Sequence, residues 1–221
     1  MKHERILVDI ETQHDFFRPG GSCYRTEASA AAAKIYKLFR WARSHSIPVI
    51  STVLRVRKFE RGPLADVPHC VEGTEGEQKL LRTILPRRLD LGLRNTTDFP
   101  HDAFERYQQV IFEKRHTDLF RHAAAERLIT DTDSATFVLC GTGIAHGIVQ
   151  AAVGLRSRGL PVILARDAVY ELGDPQEAMA CKRMDAKGVV FAATDQIVKT
   201  VPRLTTPERI ARHLRESRQA V

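Results

Sequence analysis

Short apolar runs alternate with helically spaced apolar residues from one end of the chain to the other. Ile6-Leu7-Val8-Asp9-Ile10 and Pro48-Val49-Ile50-Ser51-Thr52-Val53 flank a stretch, 27–46, in which Ala31, Ile35, Leu38, Phe39 and Ala42 recur at the spacing of one helix face. Further runs of strand length stand at 110–112, 136–140, 162–165 and 189–192. Helical patterns occupy 117–130, 145–158, 175–187 and 207–218. The last of these opens on Thr205-Thr206-Pro207-Glu208, which offers N-cap hydroxyls, a proline at a first helical position and an early acid. Apolar strands separated by helices predict a sheet covered on both faces: an α/β protein of three layers, α/β/α, with a Rossmann-like, mostly parallel sheet of about six strands. No Pro/Gly/Ser-rich linker, repeat or low-complexity tract interrupts the pattern, so residues 1–221 read as a single domain. The segment 55–108, rich in Arg, Pro and Asp, reads as long, partly helical loops.

Composition narrows the class. The 221 residues are 43% hydrophobic, enough for a packed core and too many for a disordered chain. No apolar run approaches the ~18 residues of a membrane span. The charged start, Met1 to Arg5, leads into an apolar run too short for a signal peptide, so a cytoplasmic location is expected. Cys23, Cys70, Cys140 and Cys181 show no paired spacing and read as reduced thiols. A net charge of +7 raises the question of nucleic acid, but the basic residues are scattered and only 7% of residues are aromatic for base stacking. A small molecule is the better expectation, with neither nucleic acid nor membrane as partner.

Three strand ends carry polar residues that strand packing does not require, and in open parallel sheets ligands bind beyond those ends. The first reads Asp9-Ile10-Glu11-Thr12-Gln13-His14-Asp15-Phe16; Asp9 and Glu11 are two apart and are expected on one face. The second reads Glu113-Lys114-Arg115-His116, and the third runs from Cys140-Gly141-Thr142-Gly143 to His146-Gly147 at the start of a helix. A carboxylate beside a lysine at such an edge is an acid/base arrangement in which each group shifts the other's proton affinity. Arg55, Arg57, Lys58, Arg87 and Arg88 admit two readings, a solvated basic face or a basic mouth at this edge suited to an anion.

Gln13, Asp15-Phe16 and Pro19-Gly20-Gly21-Ser22 resemble the opening motif of the isochorismatase-like hydrolases, a superfamily that also holds nicotinamidases and N-carbamoylsarcosine amidases. Pro68-His69-Cys70-Val71-Glu72-Gly73-Thr74-Glu75-Gly76 is similar to that family's His-Cys-Val loop. Lys114 to Phe120 resembles the segment after its catalytic lysine, and 141–168 matches without gaps. The resemblance spans about residues 5–195. It implies a site built on an acid, a lysine and a nucleophilic cysteine. Lys114 takes the lysine position. The gapless register puts Glu11 at the acid position; Asp9 is the alternative acid if two residues are inserted between it and Gln13, and otherwise lies one pleat deeper in a hydrogen-bonding network. The cysteine position is Gly147. Phe16, Gly143, His146 and His69 fall where such enzymes meet substrate. No metal is implied: His69 stands alone, because Leu54-Arg55-Val56 replaces the Asp-x-His of metal-binding members.

Isochorismatases also carry glycine at the cysteine position, and they resemble a design in which a carboxylic acid protonates an enol carbon and water completes the hydrolysis. The resemblance therefore implies a hydrolase acting on a small, anionic molecule through Glu11 and Lys114 without a covalent cysteine intermediate and without a cofactor, assembled as a homo-oligomer. The alternative expectation is an inactive member of the fold that serves as a small-molecule-binding or protein-interaction module.

Overall fold

The computed structural model describes residues 3–61, 64–65, 69–132 and 135–199. The helix expected at 207–218 lies outside them. Seven strands form one parallel sheet: β1 (Arg5–Ile10), β2 (Val49–Leu54), β3 (Arg88–Asp90), β4 (Gln109–Lys114), β5 (Thr136–Thr142), β6 (Val162–Tyr170) and β7 (Val190–Ala192), in the order β3-β4-β2-β1-β5-β6-β7. The helices are α1 (His14–Phe17), α2 (Ala28–Ser44), α3 (Ala103–Arg106), α4 (Ala123–Thr130), α5 (Val149–Ser157), α6 (Glu177–Ala186) and α7 (Thr194–Lys199). Among the described residues no helix is long and apolar enough to cross a membrane.

The three-layer α/β expectation holds, with seven strands in place of about six. The extra strand is β3, three residues at the sheet edge inside the segment read as loops. Two of its three side chains are exposed, so it has no apolar run to announce it. β1, β2 and β5 are buried along their whole length because both faces are covered. On one face Ile6, Val8 and Ile10 pack with Val110, Phe112 and residues of α4, α5 and α6. On the other, Leu7, Val49 and Val138 pack with Ile35, Leu38 and Phe39 of α2 and with Ile197 of α7.

The chain leaves β1 toward β2 and β4 and returns to build β5, β6 and β7 on the other side. The strand order therefore reverses between β1 and β5, and in open parallel sheets the carboxyl ends of the strands at such a reversal are where ligands bind. The two strands approach closely there: Ile10 pairs with Gly141, whose φ is +126°, and a Cβ on Gly141 would overlap the Ile10 carbonyl oxygen. Gly141→Ala is expected to cost at least about 2 kcal/mol, from overpacking against backbone and from a φ that L-residues avoid. Urea unfolding of the variant checks this; a midpoint equal to wild type would contradict it.

Candidate active site

Glu11 is the first residue beyond β1, and its φ of +55° is left-handed. A non-glycine residue holds that conformation where its surroundings enforce it, at a cost of about 1–3 kcal/mol. Around it, the Glu11 N–H donates to the Thr52 carbonyl at 3.2 Å, and its own carbonyl accepts from Gln13 N–H at 2.9 Å and from the Thr142 hydroxyl at 3.2 Å. The consequence corrects the sequence reading. Asp9 and Glu11 do not share a face. The left-handed turn sends the Glu11 carboxylate to Lys114, which alternates along β4 with Phe112 and Val110 on the Ile10 face. Asp9 stays on the Leu7 face.

Lys114 ends β4 with its side chain fully buried. Its ammonium donates to Glu11 Oε1, to the His116 carbonyl at 2.8 Å and to the Thr117 carbonyl at 3.0 Å. An ammonium has three protons, so its donors are all used. Glu11 Oε2 makes no hydrogen bond among the described residues. It is the free corner of the pair.

Gly147 faces that pair. A Cβ built on it would lie 3.2 Å from Glu11 Oε1, 3.5 Å from the Thr117 carbonyl oxygen and 2.7 Å from Ile10 Cγ2. The direction a side chain would take at 147 is therefore toward the Glu11 carboxylate, and the Ile10 methyl occupies part of the room. Gly147 sits in an irregular turn, Ile144–Ile148, that follows Gly143 (φ +74°) and breaks at His146 (φ −119°, ψ −108°) before α5 begins. His146 is half-exposed, with Nε2 3.1 Å from Asp174 Oδ2. Asp174 in turn accepts from Gln176 N–H at 2.7 Å.

The other expected residues lie in supporting positions. Phe16 is buried, and its ring stands 5.1 Å from that of His69, which is also buried. Asp15 joins the two sequence motifs: its carboxylate accepts from Ser22 N–H at 3.0 Å and Cys70 N–H at 2.6 Å, and Gly76 packs against it with no room for a Cβ. Two of the four cysteines, Cys70 and Cys140, lie in the core near these strands. Both are buried, and burial pushes both thiols far above the ordinary range, away from the reactive thiolate.

The basic mouth is smaller than expected. Arg87 and Arg88 stand at the start of β3, level with Gln109 at the opposite edge of the sheet; Arg87 donates to the carbonyls of Glu105 and Arg106, and Arg88 pairs with Asp90. Arg55 is neutralised by Glu77 and Glu113, each at 2.5 Å. Arg57 and Lys58, exposed on the loop after β2, remain. The residue that sequence reasoning missed is Lys79, buried against Asp9. The signal for it was indirect: Asp9 in an apolar strand demanded a partner.

Three histidines border this edge. Burial holds His14, His116 and His122 below the ordinary imidazole range. The His122 ring packs on Phe112 at 5.1 Å, and neither of its nitrogens has hydrogen-bond geometry to a partner among the described residues. In the unfolded chain these imidazoles take up protons as pH falls through about 6.5, whereas in the folded chain they stay neutral to lower pH. The unfolded state therefore binds more protons there, and stability should drop as pH falls from 7 toward 5. Thermal melts across that range check the slope, and His122→Leu should flatten it; identical slopes in both proteins would contradict the assignment.

Residues 91–196 match the isochorismatase domain family. No curated protein matches the chain by sequence. Among solved structures, the fold is similar to a nicotinamidase/pyrazinamidase from Bacillus subtilis (TM-score 0.66, 18% identity, covering 87% of this chain and 100% of that one). It is equally similar to an N-carbamoylsarcosine amidase from Thermoplasma acidophilum (TM-score 0.66, 17% identity, 88% and 98% covered). An isochorismatase-like hydrolase from Alkaliphilus metalliredigens gives a TM-score of 0.65 at 16% identity, with 89% and 98% covered. The chain shares the fold of these hydrolases.

Proposed function

We propose that this protein is an isochorismatase-like hydrolase that acts on a small molecule through the Glu11–Lys114 pair, with no covalent cysteine intermediate. The observation that carries the reading is the buried pair at the β1/β5 switch point, faced by a glycine at the position where the related chemistry keeps its thiol. A glycine cannot attack, so the electrophile must be met by water, and the pair must manage a proton.

A vinyl ether suits that pair. Glu11, in its acid form, gives a proton from Oε2 to the enol carbon, and the electron pair of the double bond forms the new C–H bond. Water adds to the resulting oxocarbenium ion and returns a proton to Glu11. The hemiketal then collapses to a carbonyl compound and an alcohol. Lys114 keeps its proton throughout, and its charge steadies the Glu11 carboxylate that each proton transfer leaves behind. An anionic substrate would meet Arg57 and Lys58 on the loop after β2.

A panel of vinyl ethers, imines and amides tests this. Turnover of at least one class is expected, undiminished after alkylation of accessible thiols with iodoacetamide and without a covalent adduct in the intact-protein mass spectrum. Absence of any turnover would overturn the hydrolase reading in favour of a binding module. A trapped acyl or alkyl adduct would overturn the non-covalent one.

A further inference from the structure

We propose that the buried Asp9–Lys79 ion pair is a positioning device for Glu11, which clamps the turn that swings the Glu11 carboxylate across to Lys114. The inference rests on the reading of Glu11 as the working acid. Asp9 is wholly buried, and one of its oxygens, Oδ2, accepts from Lys79 Nζ, from Ser51 Oγ at 2.9 Å and from Thr12 Oγ1 at 3.2 Å. Lys79 Nζ also donates to Thr12 Oγ1 at 2.7 Å, and that hydroxyl lies 3.0 Å from Thr83 Oγ1. Thr12 directly follows Glu11, so the side chain next to the left-handed residue is held by three groups at once.

The backbone around it is stitched to the same loop. Leu80 N–H donates to the Thr12 carbonyl at 2.9 Å, and His14 N–H donates to the Gln78 carbonyl at 2.8 Å. The Gln13 side chain grips both backbone groups of Leu54 and the carbonyl of Glu77. Lys79 thus reaches Asp9 from a segment that runs antiparallel to residues 12–14. Ser51 extends the network to Gln109 Nε2 at 2.8 Å, which ties in β4, the strand that carries Lys114. One polar network therefore links the turn under Glu11 with the base of the Lys114 strand.

Stability alone accounts poorly for this arrangement. Buried ion pairs are commonly replaceable by apolar groups without loss of stability. This one also leaves Asp9 Oδ1 buried without a hydrogen bond, a cost that a purely stabilising cluster would avoid. What the pair specifies is geometry: a left-handed residue at 11 and a carboxylate that leaves the Leu7 face.

The test is the double variant Asp9→Leu/Lys79→Met, which replaces the pair with apolar side chains of similar volume. It is expected to melt near the wild type. The Lys114 ammonium protons, which burial and three acceptors should protect in the wild type, are expected to exchange at least about tenfold faster by 15N-NMR, and kcat for Glu11-dependent turnover should fall about 10–100-fold with KM within about twofold. Thr12→Val, which leaves the ion pair intact but frees the turn, should show the same changes and covers the case in which the double variant does not fold. If the wild type turns over nothing, the functional reading fails and the NMR measurement still decides the clamp. Unaltered ammonium exchange in both variants would overturn it, as would unaltered kcat in an active enzyme.

Discussion

Glu11→Gln is expected to leave a folded protein whose turnover is lower by about 10²–10⁴-fold, the range that a positioned general acid contributes. The substitution is nearly isosteric. The amide oxygen can still accept from Lys114 Nζ, so the hydrogen bond that draws residue 11 to β4 survives, and with it the left-handed turn. What disappears is the carboxylate oxygen of the pair that Lys114 does not hold. A factor of 10²–10⁴ corresponds to about 2.7–5.5 kcal/mol of lost transition-state stabilisation. The effect should fall on kcat, because the amide keeps the shape of the site and hence ground-state binding. Glu11→Asp separates position from chemistry. It retains an acid but withdraws it by about 1.5 Å, a displacement of the size that costs roughly 100-fold in other sites. Steady-state kinetics on any substrate found active, with circular dichroism to show the fold, checks both. Turnover of Glu11→Gln within about threefold of wild type would remove Glu11 from the chemistry.

The sheet was legible in the sequence because β1, β2, β4 and β5 are covered on both faces and write themselves as near-continuous apolar runs. β3 has no such run, and its absence from the reading carried a further error. Arg87 and Arg88 look like loop residues near a mouth until a short parallel strand is seen to set their direction, and then they lie at the far edge. Glu11 and Gly147 were found by counting residues, and their juxtaposition followed from parallel strands in register. The orientation of Glu11 did not follow. Period-two alternation puts it with Asp9, and nothing in Ile10-Glu11-Thr12 advertises a positive φ, since glycine or asparagine is the residue that usually does. Lys79 was hidden for a different reason. An acid in an apolar strand says that a partner exists, but the partner came from 70 residues away, on a loop with no periodicity to place it.

Lys114→Met should destabilise the fold by about 3–5 kcal/mol, the cost of leaving one member of a buried ion pair without the other. Methionine matches the length of the lysine stem and fills the same channel, so the loss is electrostatic more than steric. Three acceptors lose their donor: the Glu11 carboxylate and the carbonyls of His116 and Thr117. The carbonyls can turn to water at modest cost, but the carboxylate is 4% exposed and has no second cation among the groups that touch it. For a chain of this size each kcal/mol corresponds to about 2–4 °C, so the melting temperature should fall by about 6–20 °C. Because the damage lies in the orphaned charge, removing that charge should repair part of it. Glu11→Gln/Lys114→Met is expected to be more stable than Lys114→Met alone, and the double-mutant cycle should show a coupling well above the ~0.5 kcal/mol of independent sites. Calorimetry or urea unfolding of the four proteins measures it. Additive effects would mean that Glu11 and Lys114 are neighbours without being a pair, and the carboxylate that proton transfer leaves at Glu11 would then need another counter-charge.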